Sequence, residues 1–283
     1  MSTILLLSII GGLLIQSVAK KIFNQKSDGR GAYLFTAVSV LAAAAFFVVA
    51  GEKPYHFQWA WVPYSLGFAV SYGMASIGTF LAIQYGSMSL TSLATSYSLI
   101  IPTLYGLLFL NEQGGFFLYL GLVLLMISLV LINTKKGDMA ISFKWAVFAL
   151  IAFLGNGICS TVQKMQQIAF DGAAKNEFMI VALLVVAAFL FLISLKGERQ
   201  SWKPCLEKGL LWMVICGVTN GAVNLFVMIL SGKMATSVMF PLISAGGILL
   251  TTFVGTLAFR EKLTLKQYIG VFLGAGAVVF LNL

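Results

Sequence analysis

Apolar runs long enough to cross a bilayer follow one another from end to end of this sequence, with only short polar breaks between them. A helix needs about 20 apolar residues to span a hydrocarbon core of roughly 30 Å. Ten such runs fit, at 3–22, 32–50, 60–84, 88–110, 115–133, 144–166, 177–195, 209–230, 234–259 and 265–282. They are continuous rather than alternating, which argues against the dyad pattern of a membrane β-barrel. The breaks, such as "NQKSDGRG", "NTKKGDM" and "KGERQSWKP", hold the Gly, Pro, Asn and charged residues that punctuate helices. Composition agrees, with 60% hydrophobic and 10% charged residues, where a soluble domain has roughly 45–50% and about 25%. The sequence therefore predicts an all-α integral membrane protein with ten transmembrane helices. The opening stretch "MSTILLLSIIGGLLIQSVAKK" meets its first charge only at Lys20, after the apolar run. It is expected to remain as the first membrane helix rather than to act as a signal peptide.

The fifth run is written again as the tenth. "YLGLVLLMISLVLIN" (119–133) and "YIGVFLGAGAVVFLN" (268–282) share Tyr, Gly, Leu, Val and Asn in register. Working backward, "LFLNE" matches "LAFRE", which pairs Glu112 with Glu261. "TFLAIQYGSMS" (79–89) lies over "LFVMILSGKMA" (225–235), and "GLLIQSVAKK" (12–21) over "GNGICSTVQK" (155–164). The chain reads as two five-helix repeats, 1–134 and 142–283. Five is odd, so the second copy enters the membrane from the opposite side and the repeats are inverted, an architecture common among secondary transporters. Fourteen Lys and Arg fall in the odd-numbered loops and four on the other side, and the positive-inside rule then puts both termini outside.

This arrangement resembles the drug/metabolite transporter superfamily, in particular its ten-helix EamA-like members. The likeness covers the whole chain. It is carried by the two repeats, by the acidic residue closing the fourth helix of each ("LNEQ", "REKLT"), by a short fifth helix beginning Tyr-x-Gly, and by proline within spans four and nine. Pro102 and Pro241 do not align at a single offset, so the halves have diverged. Similar transporters keep both termini cytoplasmic, the reverse of the charge tally. The resemblance implies a transporter and no enzyme, with exporters of amino acids and related metabolites as its relatives. Small multidrug exporters of the superfamily use a glutamate in the first helix to bind protons and cations. Here "IGGLLIQSVA" places Gln16 there, which disfavours that mechanism.

Ionisable groups at bilayer depth are expensive and usually functional, yet the central parts of all ten spans contain no Asp or Glu. Neutral polar groups cluster instead. Span three sets Tyr72, Ser76 and Thr79 on one face, at i, i+4 and i+7. Asn220 and Asn224 lie one turn apart, as do Asn156 and Ser160, and span four adds Thr91, Thr95 and Ser98 with Tyr97 nearby. Gln16, Tyr72, Ser76, Tyr97, Asn156, Asn220 and Asn224 are thus the candidate substrate-binding residues, and interhelical hydrogen bonding is the plainer role for each. Lys21 and Lys164 recur at matching repeat positions, either snorkelling to headgroups or marking charged ends of a substrate path; Lys233 invites the same question. The GxxxG pairs "GVTNG" (217–221) and "GVFLG" (270–274) signal close helix packing.

The single histidine, His56, and the cysteines Cys159, Cys205 and Cys216 form no metal-ligand spacing, and no catalytic or nucleotide-binding motif is present. No catalytic residue, cofactor or metal is expected. The expected function is secondary transport of a small polar or amphipathic metabolite, amino-acid-like, across the cytoplasmic membrane. It would proceed by alternating access, with the direction of transport left open. The expected partners are that small-molecule substrate, a coupling proton or ion, and membrane lipid, with no nucleic acid. A flippase for a lipid-linked sugar and a non-transporting membrane scaffold are the alternatives.

Overall fold

A computed structural model describes residues 2–51, 58–85, 95, 97–98, 100–112, 115–133, 143–258 and 265–280. Among the described residues, all regular structure is helical. The α-helices are α1 (Ser2–Lys26), α2 (Ala32–Ala50), α3 (Val62–Tyr85), α4 (Ile100–Phe109), α5 (Phe116–Asn133), α6 (Phe143–Ala169), α7 (Lys175–Gly197), α8 (Trp202–Ser231), α9 (Thr236–Ala258) and α10 (Leu265–Phe280). Six stretches of the described chain, on α1, α2, α3, α6, α7 and α8, are helical, long and apolar enough to cross a membrane. Large apolar side chains such as Val49, Phe143 and Phe272 stand more than four-fifths exposed. In water that would be costly, but in a bilayer these chains face a solvent as apolar as themselves.

Two boundaries differ from the sequence reading. Helix α1 runs through "NQK" to Lys26 and ends only where Asp28 and Gly29 turn left-handed, at φ 51° and 74°. Gln and Lys are good helix formers, and a left-handed residue is what stops a helix. Helix α8 begins at Trp202, within a segment read as a loop. Pro204 sits in its first turn, where an N–H would have no helical partner in any case. His56, Glu261, Arg260, Lys262 and Asn282 lie outside the described residues, as does Thr91 of span four.

The chain divides into two compact units, 1–73 with 162–232, and 74–161 with 233–283. Each draws on both sequence halves, and α3 and α6 are each shared between the two. In the first unit α8 packs along α1 and α2, and α2 also packs on α7. Glycine permits the close approach. A Cβ on Gly217 would fall on the Ser39 carbonyl, and one on Gly221 would lie 2.7 Å from the Phe46 ring. One GxxxG pair therefore seats α8 on α2, where the Ser39 hydroxyl donates to the Met213 carbonyl at 3.0 Å. Phe23, Leu34, Phe35, Cys205, Met213 and Cys216 fill the core between α1, α2 and α8. Glu198, just past α7, accepts from the Tyr33 and Leu34 amides at 3.1 and 2.9 Å, so a distant carboxylate satisfies the open N-terminus of α2.

In the second unit α10 packs on α5, and α9 on α4 and α10. The Ser128 hydroxyl donates to the Gly270 carbonyl at 2.6 Å, and a Cβ on Gly274 would meet that hydroxyl. The second GxxxG pair thus seats α10 on α5. Beyond α4, Glu112 reaches the first turn of α9. It accepts from the Thr236 and Ser237 amides at 2.9 Å each and from the Thr236 hydroxyl at 2.8 Å. Burial raises the Glu112 carboxyl pKa, but the Ser237 and Thr236 amides and the Thr236 hydroxyl outweigh it and hold the pKa below the usual carboxylate range.

Candidate functional site

The polar groups of the first unit converge on α8. Asn220 and Asn224 stand one turn apart on that helix. The Asn224 amide nitrogen donates to the Asn220 backbone carbonyl at 2.9 Å and to Asn220 Oδ1 at 3.1 Å. The Tyr72 hydroxyl of α3 donates to the same Oδ1 at 3.4 Å. From α1, Gln16 Oε1 accepts from Asn220 Nδ2 at 3.1 Å. From α6, Gln163 Nε2 donates to Asn224 Oδ1 at 2.8 Å. Four helices therefore deliver five polar side chains to one cluster.

Local sequence explains the convergence. Gly12 lies one turn before Gln16, and a Cβ there would strike Val223 and come 3.3 Å from the Thr219 methyl group. The missing side chain lets α1 approach α8 closely enough for Gln16 to reach Asn220. Aromatic stacking holds the Tyr72 ring, with Phe68 at 5.6 Å between centroids and Phe178 at 5.6 Å from Phe68 on the other side. The Ser65 hydroxyl fastens α3 to the Phe178 carbonyl at 3.0 Å.

Burial makes the cluster consequential. Gln16 is 6% exposed and Gln163 4%. A buried amide without a partner costs about 1–3 kcal/mol, more where no water can reach it. Yet Gln16 Nε2, a buried nitrogen, donates to nothing among the described residues.

Within the first unit the structure brings Gln16, Tyr72, Asn220 and Asn224 together. Ser76 continues α3 one turn beyond Tyr72 but belongs to the second unit, as do Tyr97 and Asn156. The Tyr97 hydroxyl donates to the Met126 carbonyl at 3.5 Å. Asn156 is half-buried on α6, two turns before Gln163. Lys164 is 7% exposed, and its ammonium donates to the Ser231 carbonyl at 2.6 Å, on the last residue of α8. A cation at a helix C-terminus meets the negative end of the helix dipole. The Lys21 side chain lies outside the described residues, and Lys233 is exposed in the turn before α9.

Gln163 was missed from sequence, although the signal was present. Asn156, Ser160, Gln163 and Gln167 fall at i, i+4, i+7 and i+11, one polar stripe on an apolar helix. Gln163, Gln166 and Gln167 are all buried. Gln166 Nε2 donates to the Ala173 carbonyl at 3.0 Å, which ties the end of α6 to the turn that follows.

Comparison with known proteins points to a membrane transporter. An uncharacterized protein of Haemophilus influenzae (strain ATCC 51907 / DSM 11121 / KW20 / Rd) is 26% identical over 205 residues, covering 70% of this chain and 67% of its own. A protein of known crystal structure superposes with a TM-score of 0.75 at 15% identity, over 99% of this chain and 95% of that one, so the fold is shared. The model of the EamA-like transporter family matches residues 143–283, the half that contributes α6 and α8 to the cluster. The chain belongs to the EamA-like transporter family of the drug/metabolite transporter superfamily.

Proposed function

We propose that this protein is a secondary transporter that moves a small polar or amphipathic metabolite, amino-acid-like in its chemistry, across the cytoplasmic membrane. The observation that carries the reading is the partly buried cluster of Gln16, Tyr72, Gln163, Asn220 and Asn224, within helices apolar enough to span a membrane. One hydrogen bond joins each of the three helix pairs, which is the pattern of interhelical packing; the buried Gln16 donor left over among the described residues is what suits a ligand that is bound and released.

Alternating access by two inverted repeats, 1–134 and 142–283, is the mechanism we infer. Its support lies in which helices pair. The second helices of the two halves, α2 and α7, pack together, as do the fourth (α4 and α9) and the fifth (α5 and α10). The first helix of one half packs on the third of the other, α1 on α8. The reciprocal pair, α6 with α3, approaches at Gly67 against Val162 and at Gly78, where a Cβ would lie 2.7 Å from the Ala152 amide nitrogen. Self-pairing of equivalent helices with reciprocal exchange of the others is the signature of a two-fold relation. The charge tally puts both termini outside, the reverse of the cytoplasmic termini of similar transporters.

The test is a thermal-shift screen of detergent-purified protein against amino acids, nucleosides, sugars, quaternary amines and organic acids, followed by flux of each hit into proteoliposomes. A ligand at 100 times its Kd stabilises by about 2.7 kcal/mol, and Asn220→Ala is expected to abolish both the shift and the flux. A ligand class that binds but never crosses the vesicle membrane would refute transport. A silent panel would favour the flippase or scaffold readings.

A further inference from the structure

The hydrogen-bond chain in the cluster has a direction, and its starting point is a backbone atom. The side-chain atom of Asn224 that lies 2.9 Å from the Asn220 backbone carbonyl must be a nitrogen, because a carbonyl only accepts. That nitrogen also faces the Asn220 side chain at 3.1 Å, so the Asn220 atom there must be Oδ1. The Tyr72 hydroxyl donates to the same oxygen. The other end of the Asn220 amide is then Nδ2, and the Gln16 atom 3.1 Å away must be Oε1. The remaining end of Gln16 is therefore Nε2. It carries two N–H groups, is buried, and has no partner among the described residues. The ambiguity that attends amide orientation is removed here by one backbone carbonyl, through three side chains. The oxygens of Gln16, Asn220 and Asn224 all accept bonds inside the cluster, and Asn224 Oδ1 does so from Gln163. What Gln16 offers beyond these bonds is a donor.

We propose that Gln16 Nε2 is the point at which this site takes its ligand, and that it binds an acceptor-only group, the carboxylate of a small amphipathic metabolite. A carboxylate presents only acceptors, and the charge-assisted bonds it forms are about twice as strong as neutral ones. The inference deepens the transport reading and rests on it only in taking the ligand to be cargo.

The probes are three compounds on one scaffold: an aromatic amino acid, its methyl ester, and the amine left when the carboxyl group is removed. Each is titrated by thermal shift against the wild type, Gln16→Met and Gln16→Glu. The wild type should bind the acid most tightly, the ester less, and the amine least. Gln16→Met should weaken the acid by at least about tenfold, with the amine unchanged. Gln16→Glu, which replaces the donor with an acceptor of like charge to the ligand, should weaken the acid further. The proposal is overturned if no acid binds, if the amine binds as tightly as the acid, or if Gln16→Met binds the acid as the wild type does. The probe series in the wild type alone decides the matter should either variant fail to fold. Flux of the acid into proteoliposomes is measured separately: binding without flux upholds the donor and refutes transport, whereas flux that is indifferent to Gln16→Met upholds transport and refutes the donor.

Discussion

Replacing Glu112 by alanine tests the reasoning about how α9 is held. The carboxylate accepts from two backbone amides and a threonine hydroxyl in the first turn of that helix, all at 2.8–2.9 Å, and Thr236 is fully buried. Hydrogen bonds to a charged group contribute about 1.5–3 kcal/mol, and a negative charge at a helix N-terminus adds about 0.3–1 kcal/mol. Partial exposure of Glu112 and partial hydration of the bared amides reduce that total, which leaves an expected loss of about 2–3 kcal/mol for Glu112→Ala. Glu112→Gln keeps one acceptor but turns an NH2 toward a helix N–H, so it should cost about half as much. Thermal unfolding in detergent at neutral pH should show a drop of about 5–10 °C for the alanine variant, on a scale of about 2–4 °C per kcal/mol. Glu207→Ala, an exposed control, should stay close to wild type. The pH dependence has a definite sign. The folded-state pKa of Glu112 is lowered, so its contribution is fully present above the unfolded-state value near about 4.3. It is lost as the pH falls through the lower folded-state value. The gap between wild type and Glu112→Gln should accordingly be widest at neutral pH and close in acid. An alanine variant that melts within a degree of wild type at pH 7 would refute the cap.

Four other substitutions probe the packing and the charge. Gly12→Ala should destabilise by about 1–3 kcal/mol and weaken ligand binding, because the added methyl strikes Val223; its neighbour Gly11, with open space around it, should accept alanine at no cost or with a gain of about 0.5–1 kcal/mol. Melting of the two single variants compares them directly. Ser128→Ala removes the bond to the Gly270 carbonyl and should lower stability by about 1 kcal/mol with flux unchanged. Lys164→Met separates two roles: as a cap on Ser231 it should lose about 1.5–3 kcal/mol of stability and keep its flux per folded molecule, whereas a charged path end would lose flux and keep its melting point.

Much of the architecture was legible because a bilayer makes few structures available. Only helices satisfy their own backbone in hydrocarbon, so continuous apolar runs of the right length specify helices before any contact is known. The GxxxG pairs were legible for the same reason, since in lipid only shape and close approach hold helices together, and Gly217, Gly221, Gly270 and Gly274 all lie in such approaches. The start of α8 was not legible, because Pro204 reads as a breaker everywhere except in a first turn.

The sequence by itself determined the helices, their apolar faces and the shortage of charge at bilayer depth, because those follow from composition and spacing along one chain. It also named Gln16, Tyr72, Asn220 and Asn224 as groups that would need partners. Only the tertiary structure decided which partners they found. Gln16 and Asn220 are 204 residues apart in sequence, and nothing local to either says that Gly12 will let α1 reach α8, or that Gln163 will complete the cluster. Nor could sequence decide that Lys164 ends on the α8 terminus, or that Glu112 and Glu198 close helices far from them in the chain. Hydrogen bonds are directional and short, so their pairing is fixed by how helices pack rather than by the order in which they are written.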